Sequence, residues 1–159
     1  MSLADPQSSP SAEHAGLLFV TILISLFSLA PGLAHLFELP RKMMLEREDY
    51  FTVQQIYSGW ALFGYVLAAQ FIALVMLAWA WHRQPELLWA ALTALLLLIA
   101  AQILFWTFTY PANTATRNWT EIPANWETLR RNWEFSHAAG ALCQFAGLLY
   151  LIRASLRGG

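Results

Sequence analysis

Four long apolar runs constrain this chain more than any other feature of its sequence. They extend from about Gly16 to Phe37, Gln55 to Trp81, Glu86 to Tyr110 and Trp133 to Leu151. Each is long enough to cross about 30 Å of hydrocarbon at about 1.5 Å per helical residue. Lipid offers the backbone no hydrogen-bond partners, so spans of this kind must be helices that satisfy their own peptide groups. Only 12% of the 159 residues are charged, where a soluble domain carries about a quarter. The expectation is an all-α integral membrane protein, an antiparallel four-helix bundle forming one domain over residues 16–159. Residues 1–15 are polar, hold two prolines and lack Lys and Arg. They read as a disordered tail, not as the basic leader of a signal peptide. Most of the eight tryptophans and five tyrosines cluster near the segment ends, as an interfacial aromatic belt would.

The connections are unequal. His82-Arg83-Gln84-Pro85 is a tight hairpin between the second and third runs, while longer polar stretches follow the first and third. Those longer stretches share one face, called the loop side here. Pro31-Gly32 should kink the first helix, and Leu39-Pro40 should end it, because a proline disfavours helical geometry in the residue before it. Pro111 should stop the third helix after Tyr110. From Pro123 to His137, Trp126, Leu129 and Trp133 recur with helical spacing between charges at Glu127, Arg130 and Arg131. This pattern predicts an amphipathic interfacial helix at headgroup level, continuous with the last span. Loop-side Arg41, Lys42, Arg47, Arg117, Arg130 and Arg131 outweigh Arg83, Arg153 and Arg157 opposite. The positive-inside rule then makes the loop side cytoplasmic, in a bacterial inner membrane. A net charge of -1 with no basic stretch gives no footing for nucleic acid. The lone Cys143 excludes an internal disulfide framework and reads as a packed thiol.

Two short signatures meet on the loop side. His35 to Glu38 reads HxxE and Glu134 to His137 reads ExxH, each placing an imidazole and a carboxylate one turn apart on one helix face. Ionisable groups at the mouth of a membrane bundle are costly and tend to be functional. Gln54, Gln55, Tyr57, Asn113, Asn118, Trp119 and Asn125 collect around them. Polar stripes are expected to run inward along Gln102, Trp106, Thr109 and Asn113, along His137, Ala141 and Gln144, and through Ser58 and Tyr65. Local ion pairs Glu38–Lys42 and Glu134–Arg130 would neutralise the carboxylates.

Several chemistries suit these residues. His35 and His137 could bind iron or copper, with Glu38 and Glu134 as further ligands or as groups that orient the imidazoles. A full diiron set would need carboxylates from the other two spans, which are missing. Haem held by one or both histidines is a second option. A third needs no cofactor: a histidine acts as base on an acidic C–H or phenol, and Asn113 and Trp119 hold the anion. Tyr57 and Asn113 are candidate contacts to substrate or to an oxygen intermediate, and Arg130 and Arg131 to an anionic group or lipid phosphate. The bland alternative is that both histidines are polar caps. His14 and His82 read as solvated, and Gly140 and Gly147 as aids to helix packing. Asn118-Trp119-Thr120 matches a glycosylation acceptor, a weak pattern.

The blocks HLFELPRKMMLEREDYFTVQQIYSGWALFG and FWTFTYPANTATRNWTEIPANWETLRRNWEFSHAAGAL resemble a family of small four-helix membrane proteins that includes the anthrone oxygenases of polyketide pathways. The resemblance covers roughly His35 to Gly64 and Phe105 to Leu142. Its motifs are Pro111-Ala112-Asn113 and the block from Trp133 to His137. It implies an oxidoreductase that uses molecular oxygen on a hydrophobic, often aromatic, small molecule, without a cofactor. Membrane lipid and a second copy of the chain are further partners to expect. A non-catalytic membrane protein that binds a lipid, a quinone or a partner helix is the alternative from another class.

Overall fold

The structure, a computed structural model, describes residues 12–156, and the expected tail over residues 1–11 lies outside them. Residues 12–15, placed in the tail by composition, already belong to the first helix. The order is α1 (Ala12–Lys42), α2 (Arg47–Gln54), 3-10 turns at Gln55–Tyr57 and Trp60–Leu62, α3 (Phe63–Ala80), α4 (Pro85–Leu104), a π turn (Phe105–Thr109), α5 (Tyr110–Ala115) and α6 (Trp126–Ser155). No strand occurs among the described residues.

Four stretches are long and apolar enough to cross a membrane: Ala15–Lys42, Trp60–Ala80, Pro85–Ala115 and Trp126–Ser155. Their outward residues are apolar too, with Phe27, Ile72, Leu96, Ile103 and Leu142 all more than half exposed. An apolar outer surface of this extent suits lipid. α1 packs against α3 and α6, and α4 packs against the same two. Small residues let the backbones approach. A Cβ added at Gly32 would lie 3.2 Å from the Ala141 Cβ, and one at Gly147 would lie 3.3 Å from the Ala94 Cα. Away from the loop side, Leu74, Leu77, Trp81, Ala91, Leu98 and Leu151 form the apolar core.

The expectations that Pro40 and Pro111 end their helices need correcting. Pro31 and Pro40 both lie inside α1, which runs on to Lys42. Pro40 forfeits only the bond its own N–H would have made, and the Met43 N–H still reaches the Leu39 carbonyl at 3.0 Å. Pro111 does not stop the third span either. Its ring would collide with the carbonyl four residues back, and the π turn just before it widens the helix there. The span resumes as α5 and carries Asn113 onward. The second run is not one helix: Gly59, at φ +86°, breaks it between the two 3-10 turns, a conformation glycine adopts without penalty. Tyr65 in consequence points outward, 78% exposed, so no Ser58–Tyr65 stripe exists. The π turn likewise splits the stripe on the third span, leaving Trp106 exposed and Thr109 buried.

The amphipathic stretch before the last span is the first part of α6, continuous with the rest as expected. Its apolar face is not free for headgroups. Leu129 and Trp133 are buried in a cluster with Tyr50 and Phe51 of α2, Ala112 and Trp119. Protein, not lipid, covers that face.

Candidate functional site

α1 presents His35, Glu38 and Lys42 at spacings of three and four, and therefore on one side. α6 presents Trp133, Glu134 and His137 in the same way. α2 adds Tyr50 and Gln54, and the irregular segment before α3 adds Tyr57 and Trp60. These four pieces converge on one buried cluster. His35 is 3% exposed, Lys42 3% and Glu134 0%.

The two imidazoles are in contact, ring centroids 4.4 Å apart. The Trp133 indole packs on both, 4.8 Å from His35 and 4.0 Å from His137. Tyr57 and Trp60 cover His35 at 4.5 and 5.4 Å. The His137 Nδ1 lies 2.9 Å from the Trp133 carbonyl oxygen. A carbonyl only accepts, so Nδ1 carries the proton and Nε2 keeps the lone pair.

A closed polar ring lies beside the histidines. Lys42 Nζ meets Glu134 Oε1 at 2.6 Å and donates to Gln54 Oε1 at 3.2 Å. Gln54 Nε2 donates to the Tyr50 oxygen at 2.5 Å, and the Tyr50 hydroxyl donates to Glu134 Oε1 at 2.9 Å. The ammonium also lies 4.4 Å from the Trp133 ring centroid and 4.6 Å from that of Tyr57, a cation–π setting. Burying a charge is tolerable only when it is paired and hydrogen-bonded, and this ring meets that condition for Lys42. Within this cluster two buried acceptor-capable atoms, His35 Nδ1 and Glu134 Oε2, have no hydrogen-bond partner among the described residues.

Neither expected local ion pair forms among the described residues. Lys42 pairs across helices with Glu134, while Glu38 accepts a hydrogen bond from Tyr57. Arg130 donates to the Leu45 carbonyl at 2.9 Å and lies 4.6 Å from the Trp126 ring, where it ties α6 to the turn between α1 and α2. Arg131 is exposed. Asn113 and Trp119 are committed to each other. Asn113 Oδ1 accepts from the Trp119 indole at 3.0 Å and from the Trp133 indole at 2.8 Å. Asn113 thus fixes the plane against which both histidines rest. Trp119 reaches it through a turn in which Arg117, Asn118 and Trp119 all have positive φ, each at a cost of about 1–2 kcal/mol. Ser28 bonds Gln144 at 3.2 Å below the cluster, and Thr109 bonds Ser136 at 2.6 Å.

Comparison with protein-family models, curated proteins and solved structures finds no match.

The residues present fit a metal poorly. Among the described residues no three His, Cys, Asp or Glu side chains come together to hold an ion. Of the carboxylates that would complete a set with His35 and His137, Glu134 is paired with Lys42 and Glu38 accepts from Tyr57. Contact between the two rings also leaves no room for a macrocycle clamped between them. The arrangement instead suits proton transfer: an imidazole with a fixed lone pair, a buried cation, and phenols bonded to carboxylates.

Sequence reasoning missed Tyr50 and the inward role of Lys42. A signal was present. Thr21, Ser28, His35 and Lys42 follow at intervals of seven, which keeps them on one face through the whole of α1, and all four are buried.

Tyr50 and Tyr57, outside the spans, are held protonated well above the usual phenol value of 10.0 by burial and by the neighbouring carboxylates. The unfolded chain releases these protons first, so stability is complete below about pH 10 and falls as pH rises beyond it. Tyrosinate absorbance should therefore show two phenols that ionise only with alkaline unfolding. Ionisation of all five tyrosines in the folded protein would contradict the geometry.

Proposed function

We propose that this protein is an antiparallel four-helix membrane bundle in which His35 and His137 remove a proton from a weakly acidic, apolar substrate. The setting is an oxygenase-like oxidoreductase reaction with dioxygen as co-substrate, and the loop side faces the bacterial cytoplasm. Matched positions support the bundle. Ser28 meets Gln144 while Gly32 meets Ala141, and Ala94 meets Gly147 while Ala101 meets Gly140; in each pair of helices one sequence rises as the other falls.

The observation that carries the reading is the fixed tautomer of His137 in a buried site. Its Nε2 is left as the free acceptor, and its ring is in contact with a second imidazole that has an unpartnered nitrogen. General bases act best when held in one orientation. Removing a proton leaves an anion, and the Lys42 ammonium, shared with Glu134, lies 4.4 Å from the Trp133 ring that packs on both histidines. An electron-rich carbanion or phenolate is the form of such a substrate that dioxygen oxidises. The two glutamates hold Lys42 and Tyr57 in position and are not themselves the base.

A chromogenic acid tests this. 4-Nitrophenol, added to the purified protein in nanodiscs below its own titration range, should turn yellow as bound nitrophenolate forms. His137→Ala and His35→Ala should abolish the colour while far-ultraviolet circular dichroism stays unchanged. No colour with the native protein would sink the proposal and leave the polar ring as a strap that fastens α2. Stoichiometric iron or copper, or a haem absorption band lost in His35→Ala, would replace the cofactor-free reading with a metal one.

A further inference from the structure

Of the two imidazoles only His35 is fully covered, at 3% exposed, whereas His137 is half-buried. Four rings surround His35, and they are held very differently. Trp133 is buried and its indole is bonded to Asn113, while His137 is tied to the Trp133 carbonyl. Neither can move without unpacking α6. Tyr57 and Trp60 are half-buried: each touches His35 with one part of its ring and is open to the surroundings with another.

Those two rings come from a thinly attached stretch of chain. From residue 55 to residue 65 nothing is buried, and every side chain except Tyr57 and Trp60 is exposed. The two 3-10 turns pack chiefly on α2 and α3, their neighbours along the chain. Few buried contacts and an irregular backbone mark a segment that opens at low cost. Gly59 sits between the two rings at φ +86°, and a Cβ there would meet nothing within 4 Å. Glycine passes between left- and right-handed backbone at little cost, so the two turns can part at this point. Side chains do the fastening. The Tyr57 hydroxyl donates to Glu38, one turn along α1 from His35, and the Lys42 ammonium lies 4.6 Å from the Tyr57 ring. Gln55 Nε2 donates to the Trp119 carbonyl at 2.7 Å and anchors the start of the segment to the buried cluster that holds α2.

We infer that residues 56–62 form a lid over His35, latched by the Tyr57–Glu38 hydrogen bond and hinged at Gly59, and that substrate reaches the histidine pair when Tyr57 and Trp60 swing off it. The inference rests on the proton-transfer reading for what enters. The span that begins at Trp60 puts the lid at the bilayer surface, the level at which amphipathic rings settle.

Diethyl pyrocarbonate, which acylates neutral imidazoles, tests the lid without any substrate. The protein in nanodiscs is treated for increasing times, and His35 is followed by peptide mass spectrometry against the exposed His82. Tyr57→Phe and Glu38→Ala each remove the latch and should raise the His35 rate about tenfold, the scale of a lost hydrogen bond to a charged group. The double variant should gain no more than either single one, because both act through one bond. Glu38→Gln keeps an acceptor and should return the rate most of the way to native. Gly59→Ala should raise it about tenfold by a separate cause, the cost of a left-handed turn to a residue with a Cβ. Native rates at His35 in Tyr57→Phe, Glu38→Ala and Gly59→Ala would overturn the inference, as would multiplied effects in the double variant. So would rates that rise only in parallel with unfolding followed by tryptophan fluorescence, since His35 would then be reached by loss of the fold. The reagent is not a substrate, so a lid that opens in a protein that leaves 4-nitrophenol colourless sinks the proton-transfer reading and leaves the lid standing.

Discussion

Lys42→Met should destabilise the fold by about 3–5 kcal/mol, the usual result of stranding one member of a buried ion pair. Glu134, 0% exposed, would keep its charge with only the Tyr50 hydroxyl beside it. The double variant Lys42→Met/Glu134→Leu should recover most of that loss, because exchanging a whole buried pair for apolar side chains is often close to neutral. Unfolding in mixed detergent micelles, monitored by tryptophan fluorescence, reads both. A single variant as stable as the native protein would mean that Lys42 reaches solvent and that the ring is an exposed, weak arrangement.

Asn113→Leu should be nearly as damaging, although Asn113 touches neither histidine. It removes the acceptor shared by two buried indoles, each orphaned N–H costing about 1–3 kcal/mol. Trp119 would also lose what holds it in its left-handed turn. The specific signature is a changed near-ultraviolet circular dichroism spectrum together with loss of nitrophenol ionisation. Asn113→Asp, which keeps an acceptor in place, should restore both in large part. Loss of ionisation with an unaltered aromatic spectrum would instead return Asn113 to the role of a direct substrate contact.

The four spans were legible because hydropathy and length are properties of a segment alone. Convergence of His35 and His137 was legible for a similar reason, since alternating spans bring the end of the first and the start of the fourth to one side. The charge pairing was not. Helical spacing proposes Glu38–Lys42 and Glu134–Arg130, but spacing along one helix cannot register a partner on another. Burial decided the matter: Lys42 sits on the inward stripe of α1, where Glu134 is the available carboxylate, while Arg130 finds a carbonyl and a tryptophan face. The prolines misled for a related reason. Their local cost is real, yet Pro40 falls where α1 is already tied down by Lys42, and Pro111 where a widened turn absorbs the clash. Asn113 and Trp119 were expected to hold an anion; their bond to each other was not legible, because the left-handed turn that brings them together has no glycine to announce it.

The π turn over residues 105–109 amounts to one extra residue threaded into a helix without a change in its ends. Everything after it, Ala112, Asn113 and Thr116 included, is rotated by about 100° relative to an unbroken helix. The third span therefore presents two different faces to the same neighbour: small alanines where α6 must come close, then an acceptor where two tryptophans must be held. Deleting one residue from that turn would straighten the helix and improve its hydrogen bonding. It would also swing the acceptor out toward lipid and leave the indole beside the histidines unsupported. In this span regular geometry and a built site are alternatives, and the sequence has settled on the irregular one.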